Sequence, residues 1–177
     1  MILASVGLTQ EWFAWEGKVY HSIHDDMKCQ FLDYLSGGLK FMADVRTSFF
    51  VPLALYTFGN EKEYMTAKLG TAGLALSAVT VFGLKTAINR QRPVGEYPRW
   101  DSSIPSGHTT FAFSTSIIYS HSYPKLIIPL LLYSSMVGLS RIYDGEHYPT
   151  DVLAGMALGT GVGLVVIKFK KEILSFP

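Results

Sequence analysis

Three short blocks hold most of the residues in this chain that could do chemistry: Lys85-Thr-Ala-Ile-Asn-Arg-Gln-Arg92-Pro93, Pro105-Ser-Gly-His108 and Ser140-Arg141-Ile-Tyr-Asp-Gly-Glu-His147-Tyr-Pro-Thr-Asp151. His147 and Asp151 are four apart, so on a helix they share a face and the carboxylate can hold one imidazole nitrogen. The other nitrogen is then free to attack, with Asp151 fixing the tautomer and stabilising the cation that forms. Taken alone, the same pair also fits a satisfied helix cap. Arg141 offers a planar fork that matches two phosphate oxygens, and Lys85 and Arg92 add positive charge suited to an anionic transition state. Either cation alone would read as an ordinary charge at a helix end. Ser106, Gly107 and His108 stand where a helix begins, so free backbone N–H groups and the positive dipole end can hold an anion at close approach. A Pro-Ser N-cap accounts for Ser106 but leaves His108 unexplained.

Three cations can take the place of a metal, and no paired carboxylates face a suitable His cluster, which argues against a two-metal hydrolase. Asp101, Asp144 and Glu146 are the acids in and beside these blocks that could in principle bind an ion. Cys29 is the single cysteine, so neither an internal disulfide nor a multi-cysteine metal site can form. No cofactor is implied.

The elements that carry these blocks are apolar. Of 177 residues, 49% are hydrophobic and only 16% charged, against about 25% charged in a typical soluble domain. The shortage of charge points to lipid. A net charge of +1 gives no basic surface for nucleic acid. No linker or change of composition divides residues 1–177, which read as one domain. Met1 to Gly7 lacks a basic start followed by a long apolar core, so no cleaved signal peptide is expected. The fold expected is all-α, an integral-membrane helical bundle of about five spans at 41–58, 67–88, 107–123, 126–143 and 151–169. Gly155, Gly159, Gly161 and Gly163 suit close helix packing in lipid. Ahead of the spans, residues 8–23 repeat Leu8, Trp12, Trp15, Val19 and Ile23 at helical spacing, with Glu11, Glu16, Lys18 and His21 largely between them, as in an amphipathic helix at the interface.

Alternating spans bring Lys85, Arg90, Arg92, Ser106, His108, Arg141, His147 and Asp151 to one membrane face, although they are scattered over the second half of the chain. Lys168, Lys170 and Lys171, with Lys62, Lys68 and Lys125 on the same side, favour a cytoplasmic C-terminus. The polar cluster would then face outward, on the periplasmic side of an inner membrane.

Taken together, K-x6-R-P, P-S-G-H and S-R-x5-H-x3-D resemble the signature of the type-2 phosphatidic acid phosphatase superfamily, strongly from Lys85 to about Gly155. The resemblance implies a metal-independent reaction on a phosphorylated membrane lipid. His147 attacks phosphorus, His108 protonates the departing alkoxide, and water cleaves the phosphohistidine. Lys85, Arg92, Ser106, the Gly107 amide and Arg141 would hold the phosphoryl oxygens, and Asp151 would orient His147. Phosphatidic acid, phosphatidylglycerol phosphate, undecaprenyl pyrophosphate and lipid A phosphates all fit these motifs. So does a phosphotransferase with the same intermediate, while a non-catalytic phospholipid-binding protein would need only the cations. The chain differs from the usual pattern in its short Pro93–Ile104 link and in Asp144 and Glu146 beside the nucleophile, which would repel an anionic headgroup or pair with Arg90 or Arg99. No sequence feature specifies an oligomeric interface.

Overall fold

The structure, a computed structural model, describes residues 14–175. Within them the chain is helical, without a strand. After α1 (14–24) come α2 (Gln30–Ala43), α3 (Val45–Ser48), α4 (Phe50–Phe58), α5 (Glu61–Ile88), α6 (Gly107–Ser122), α7 (Ile127–Tyr143), α8 (Pro149–Lys168) and α9 (Lys170–Ser175). Single 3-10 turns lie at Arg99–Asp101 and Pro124–Leu126.

Helix α6 is the centre of the bundle and packs along α5, α7 and α8. Its buried side chains are mostly small and hydroxylated. Ser77 of α5 donates to Ser114 at 3.0 Å, Ser116 shares a 2.7 Å bond with Ser134 of α7, and Ser134 reaches the Ala112 carbonyl at 3.0 Å. Beside a buried cluster of Leu69, Ile118, Val162 and Val166, many large apolar side chains point outward: Val79, Phe82, Ile128, Leu132, Leu153 and Leu164 are each more than half exposed. Such a surface suits hydrocarbon, where apolar burial gives no drive for helices to associate. Hydrogen bonds between membrane helices average only about 0.6 kcal/mol, so close packing must supply much of the cohesion. Gly159 shows how close: a Cβ there would lie 2.4 Å from the Thr110 carbonyl oxygen, so α8 meets α6 backbone to backbone.

Among the described residues three helical stretches are long and apolar enough to cross a membrane, Glu61–Ile88, Pro124–Tyr143 and Pro149–Lys168. They correspond to the expected spans 67–88, 126–143 and 151–169. Helix α5 begins earlier than expected because Asn60 caps it, accepting from the Lys62 amide at 3.0 Å while Glu63 accepts from the Asn60 amide at 3.2 Å. Its 28 residues extend about 42 Å, beyond the roughly 30 Å of hydrocarbon.

The expected count of five spans is not confirmed among the described residues. Segment 41–58 is divided among the end of α2, α3 and α4. Asp44 ends α2 with an extended backbone and accepts from the Arg46 amide at 2.9 Å, and the Thr47 and Ser48 hydroxyls turn back onto the Phe41 and Met42 carbonyls. These local bonds compete with a continuous helix. Segment 107–123 forms α6, whose 16 residues cover about 24 Å. It is sheathed by the other helices.

Of the expected amphipathic helix 8–23, residues 8–13 lie outside the described residues. In the remainder Trp15 is exposed, but Glu16, expected on the polar face, is buried together with Tyr20. The helix turns a charge toward the bundle because a partner waits there.

Replacing Gly159 by Leu is expected to force α8 off α6 and to cost roughly 1–3 kcal/mol or more, read as a lower thermal-unfolding midpoint in detergent. Gly161→Ala, with nothing within 4 Å of its added Cβ, is expected to leave the midpoint nearly unchanged.

Candidate active site

Four helix ends build the site. Lys85 closes α5, Ser106 precedes α6, Arg141 lies in the last turn of α7, and His147 and Asp151 flank the start of α8. The turn from α7 to α8 depends on Gly145, at φ 75°, where a Cβ would also come within 2.9 Å of His24. A cavity of about 360 Å³ opens between these ends, lined by Lys85, Arg92, Gly107, His108, Arg141 and His147, with Asp44, Tyr97, Asp101 and Glu146 among its other walls. Of the eight residues singled out from sequence, six line this cavity. Ser106 and Asp151 are fully buried and stand outside its lining.

Each cation is already paired with a carboxylate. Lys85 is buried, with Nζ 3.2 Å from Asp101 and donating also to the Ser102 carbonyl. Arg92 donates to Asp101 at 2.7 Å and to Glu146, and stacks its guanidinium 4.2 Å from the Tyr97 ring. Arg141 is fully buried and its Nη2 donates to Asp144 at 2.5 Å, while Nη1 has no hydrogen-bond partner among the described residues. The roles expected for Asp144 and Glu146 are thereby corrected. They pair with Arg141 and Arg92, the two arginines of the cavity, and not with Arg90 or Arg99. Arg90 reaches Asp151 at 2.7 Å and Glu16 at 2.6 Å, and Arg99 donates to the Thr86 carbonyl. The physical reason is burial: the most enclosed cations need the nearest counter-charges.

Helix α6 begins without a side-chain cap at Ser106, whose hydroxyl instead accepts from Thr109 at 2.9 Å. The Ser106 amide donates to the Asp151 carbonyl at 3.0 Å, which ties the start of α6 to α8. Gly107 and His108 then face the cavity from the positive end of the helix dipole.

His147 Nδ1 lies 3.8 Å from Asp151 Oδ2, too long for a full hydrogen bond, and has no other partner among the described residues. Burial pushes the His147 imidazole below its ordinary proton affinity; Arg92 and Lys85 act in the same direction and Asp151 opposes them. Burial alone would raise Glu146, but Arg92, Lys40 and His147 outweigh it and hold this carboxyl below its usual range. Among the described residues no three His, Cys, Asp or Glu side chains cluster as a metal site would require. Lys85, Arg92 and Arg141 with two imidazoles could bind a phosphoryl group, attack it and supply a proton.

Tyr97 and Asp44 escape a reading by motif, and Arg90, one of the cations of the first block, gives no sign there of its place on Asp151. A short link after Pro93 is the one sign that something on it must fold back over the cations, as Tyr97 and Asp101 do.

The sequence profile of the PAP2 superfamily matches residues 68–174. Undecaprenyl-diphosphatase BcrC of Bacillus subtilis is 36% identical over 76 residues, 43% of this chain and 39% of that protein. Decaprenylphosphoryl-5-phosphoribose phosphatase of Mycobacterium tuberculosis is 33% identical over 111 residues, 59% of this chain and 60% of that protein. The matches thus span less than two thirds of these relatives. The crystal structure of Aquifex aeolicus LpxE superposes with a TM-score of 0.73 at 28% identity, covering 85% of this chain and 93% of that one.

Because Glu146 holds Arg92, Glu146→Gln is expected to tighten binding of inorganic phosphate by about tenfold, or about 1.4 kcal/mol, in calorimetric titration of the detergent-solubilised protein. Unchanged or weaker binding would show that the carboxylate does not compete with an anion.

Proposed function

The chain belongs to the PAP2 superfamily, and from that premise we propose that it is a lipid phosphatase of the membrane, releasing phosphate from a phosphoester or diphosphate carried on a long-chain lipid. One observation carries this reading: His108 and His147 line the same cavity as Lys85, Arg92 and Arg141. Anion binding alone would need only the cations.

His147 Nε2 attacks phosphorus with its lone pair, forming a P–N bond as the P–O bond to the lipid breaks. His108 gives its proton to the departing oxygen. Water then attacks the phosphohistidine, His108 takes up a water proton, and the P–N bond breaks to release phosphate and neutral imidazole. Lys85, Arg92, Arg141 and the Gly107 amide hold the equatorial oxygens where negative charge gathers. The fully buried Arg141, whose Nη1 lacks a partner among the described residues, is suited to receive one of them. Asp151 orients His147 and stabilises the cation it becomes.

The chain is an integral membrane protein, with three helices long and apolar enough to cross and an apolar exterior. The candidate site gathers at the ends of α5 and α7 and the start of α8, away from Lys62, Lys68, Lys125, Lys168, Lys170 and Lys171. The positive-inside bias therefore supports a site facing the periplasmic side and a C-terminus in the cytoplasm. Among the substrates that fit the motifs, the two relatives named for undecaprenyl diphosphate and a decaprenylphosphoryl sugar phosphate favour a polyprenyl-linked phosphate.

Phosphate release in detergent from undecaprenyl diphosphate, lipid A and phosphatidylglycerol phosphate tests the proposal. Activity in EDTA is expected on at least one lipid and is expected to fall at least about a thousandfold in His147→Ala; a mutant as active as the parent sinks the mechanism. His108→Ala is expected to lose about 10²–10⁴-fold, and less with 4-nitrophenyl phosphate, whose leaving group needs no proton. Because burial holds His147 neutral at pH values where a free imidazole would charge, kcat/KM is expected to decline with acid only below about pH 6.5, the ordinary imidazole value. An acid limb above that value contradicts the depressed affinity.

A further inference from the structure

Asp151 has no exposed surface, and both of its oxygens are committed. Oδ2 accepts from Ser103 Oγ at 2.5 Å and from the Tyr148 amide at 2.8 Å. Oδ1 accepts from Arg90 Nη1 at 2.7 Å. The same Nη1 lies 2.6 Å from Thr150 Oγ1, and the guanidinium stacks 4.4 Å from the Tyr148 ring. Its second nitrogen, Nη2, donates at 2.6 Å to Glu16 of α1. Glu16 is itself only 4% exposed and accepts from the Thr150 amide at 3.2 Å and from the Thr150 hydroxyl. Arg90 is therefore clamped between two buried carboxylates, one beside the proposed nucleophile and one from a helix that precedes the matched family region 68–174.

We infer that Arg90 and Glu16 are positioning residues for His147: Arg90 takes up much of the Asp151 charge so that the carboxylate orients a neutral imidazole, and Glu16 sets how strongly Arg90 does so. The inference rests on the reading of His147 as the nucleophile. An imidazole attacks through a lone pair, which it loses on protonation. A fully buried carboxylate without another counter-charge would favour the imidazolium and so quench the nucleophile. With Arg90 on Oδ1, Asp151 stays anionic and fixed, yet His147 Nδ1 stands 3.8 Å from Oδ2 outside a full ion pair. The carboxylate is then close enough to steady the charge that appears on phosphorylation. Glu16 counters Arg90 from the other side, so the two residues act on His147 with opposite sign. The other charged or titratable groups around His147 are Lys85 from α5, Arg92, Tyr97 and Asp101 from the link after it, Asp44 from the end of α2, His108 from α6, Arg141 from the end of α7, and Glu146 beside it. All of these are left in place by changes at residues 16 and 90.

A role limited to pinning α1 onto the bundle would use the same bonds but would not move the His147 titration in two directions. The test is an imidazole titration by ¹⁵N NMR of the full chain in detergent micelles. The chain has five histidines, and the His147 signal is identified by its loss in His147→Gln. Arg90→Gln is expected to raise the His147 midpoint by about one pH unit, a tenfold gain in proton affinity. Arg90→Lys, which keeps the charge, is expected to restore most of the parental value, and Glu16→Gln to lower the midpoint. An unmoved midpoint in folded Arg90→Gln, or shifts of the same sign at both positions, overturns the inference. Should Arg90→Gln fail to fold because two buried carboxylates lose their cation, Glu16→Gln decides alone: a midpoint unchanged or raised there overturns it. The titration needs no turnover. Opposed shifts without hydrolysis of any lipid in the panel would defeat the proposed activity and leave this inference standing, whereas His147-dependent hydrolysis with unmoved midpoints would defeat this inference alone.

Discussion

Lys85, Arg92 and Arg141 stand at one end of a bundle that leaves them almost no contact with solvent. An unpaired ion in such a place costs several kcal/mol, and losing one partner of a buried pair typically costs 3–5 kcal/mol. Much of the surrounding architecture follows from that constraint. Asp101 comes back over the bundle on the link after α5 to meet Lys85 and Arg92. Asp144 and Glu146 occupy the turn between α7 and α8, where they meet Arg141 and Arg92. The acids that look misplaced in the sequence beside a candidate phosphate site are what allow the cations to remain buried in it.

The bundle meets the opposite problem along its length. Its outer surface is apolar and gains nothing from helix association in lipid, so cohesion comes from small residues and hydroxyls turned inward. The contact of Gly159 with the α6 backbone and the Ser116–Ser134 bond exemplify the two means. Close packing has a functional consequence. It fixes the relative height of α6 and α8, and with it the Ser106 amide bonded to the Asp151 carbonyl, so that Gly107 and His108 are presented to the cavity that His147 lines.

The first helix joins this arrangement through charge as well as through Tyr20 and Ile23, which pack with Ile142 and Val152. Glu16 reaches Arg90 and Thr150, while His24 meets the Tyr143 carbonyl at 2.7 Å and Tyr143 meets Asp33 of α2 at 2.6 Å. Elements that precede the matched region thus lie against the turn that carries His147.

The sequence alone determined the helical class and the convergence of the site, because both depend on local periodicity. Apolar runs of helical length set alternate helix ends on alternate faces, and spacings such as His147 to Asp151 place side chains on one face of a turn. The same reasoning placed α6 to within a residue, 107–123 against Gly107–Ser122, but could not show that segment 41–58 is broken into separate helices. Whether an apolar stretch continues as one helix depends on competing bonds such as Asp44 to the Arg46 amide, and whether it faces lipid depends on what packs around it. Nor could it assign partners to Glu16, Arg90, Asp144 and Glu146. Glu16 and Arg90 are 74 positions apart, and no local pattern encodes a meeting over that distance. Only tertiary structure decided which carboxylate satisfied which cation, since the pairing follows from the depth at which each charge is buried and from what lies within a few ångströms of it.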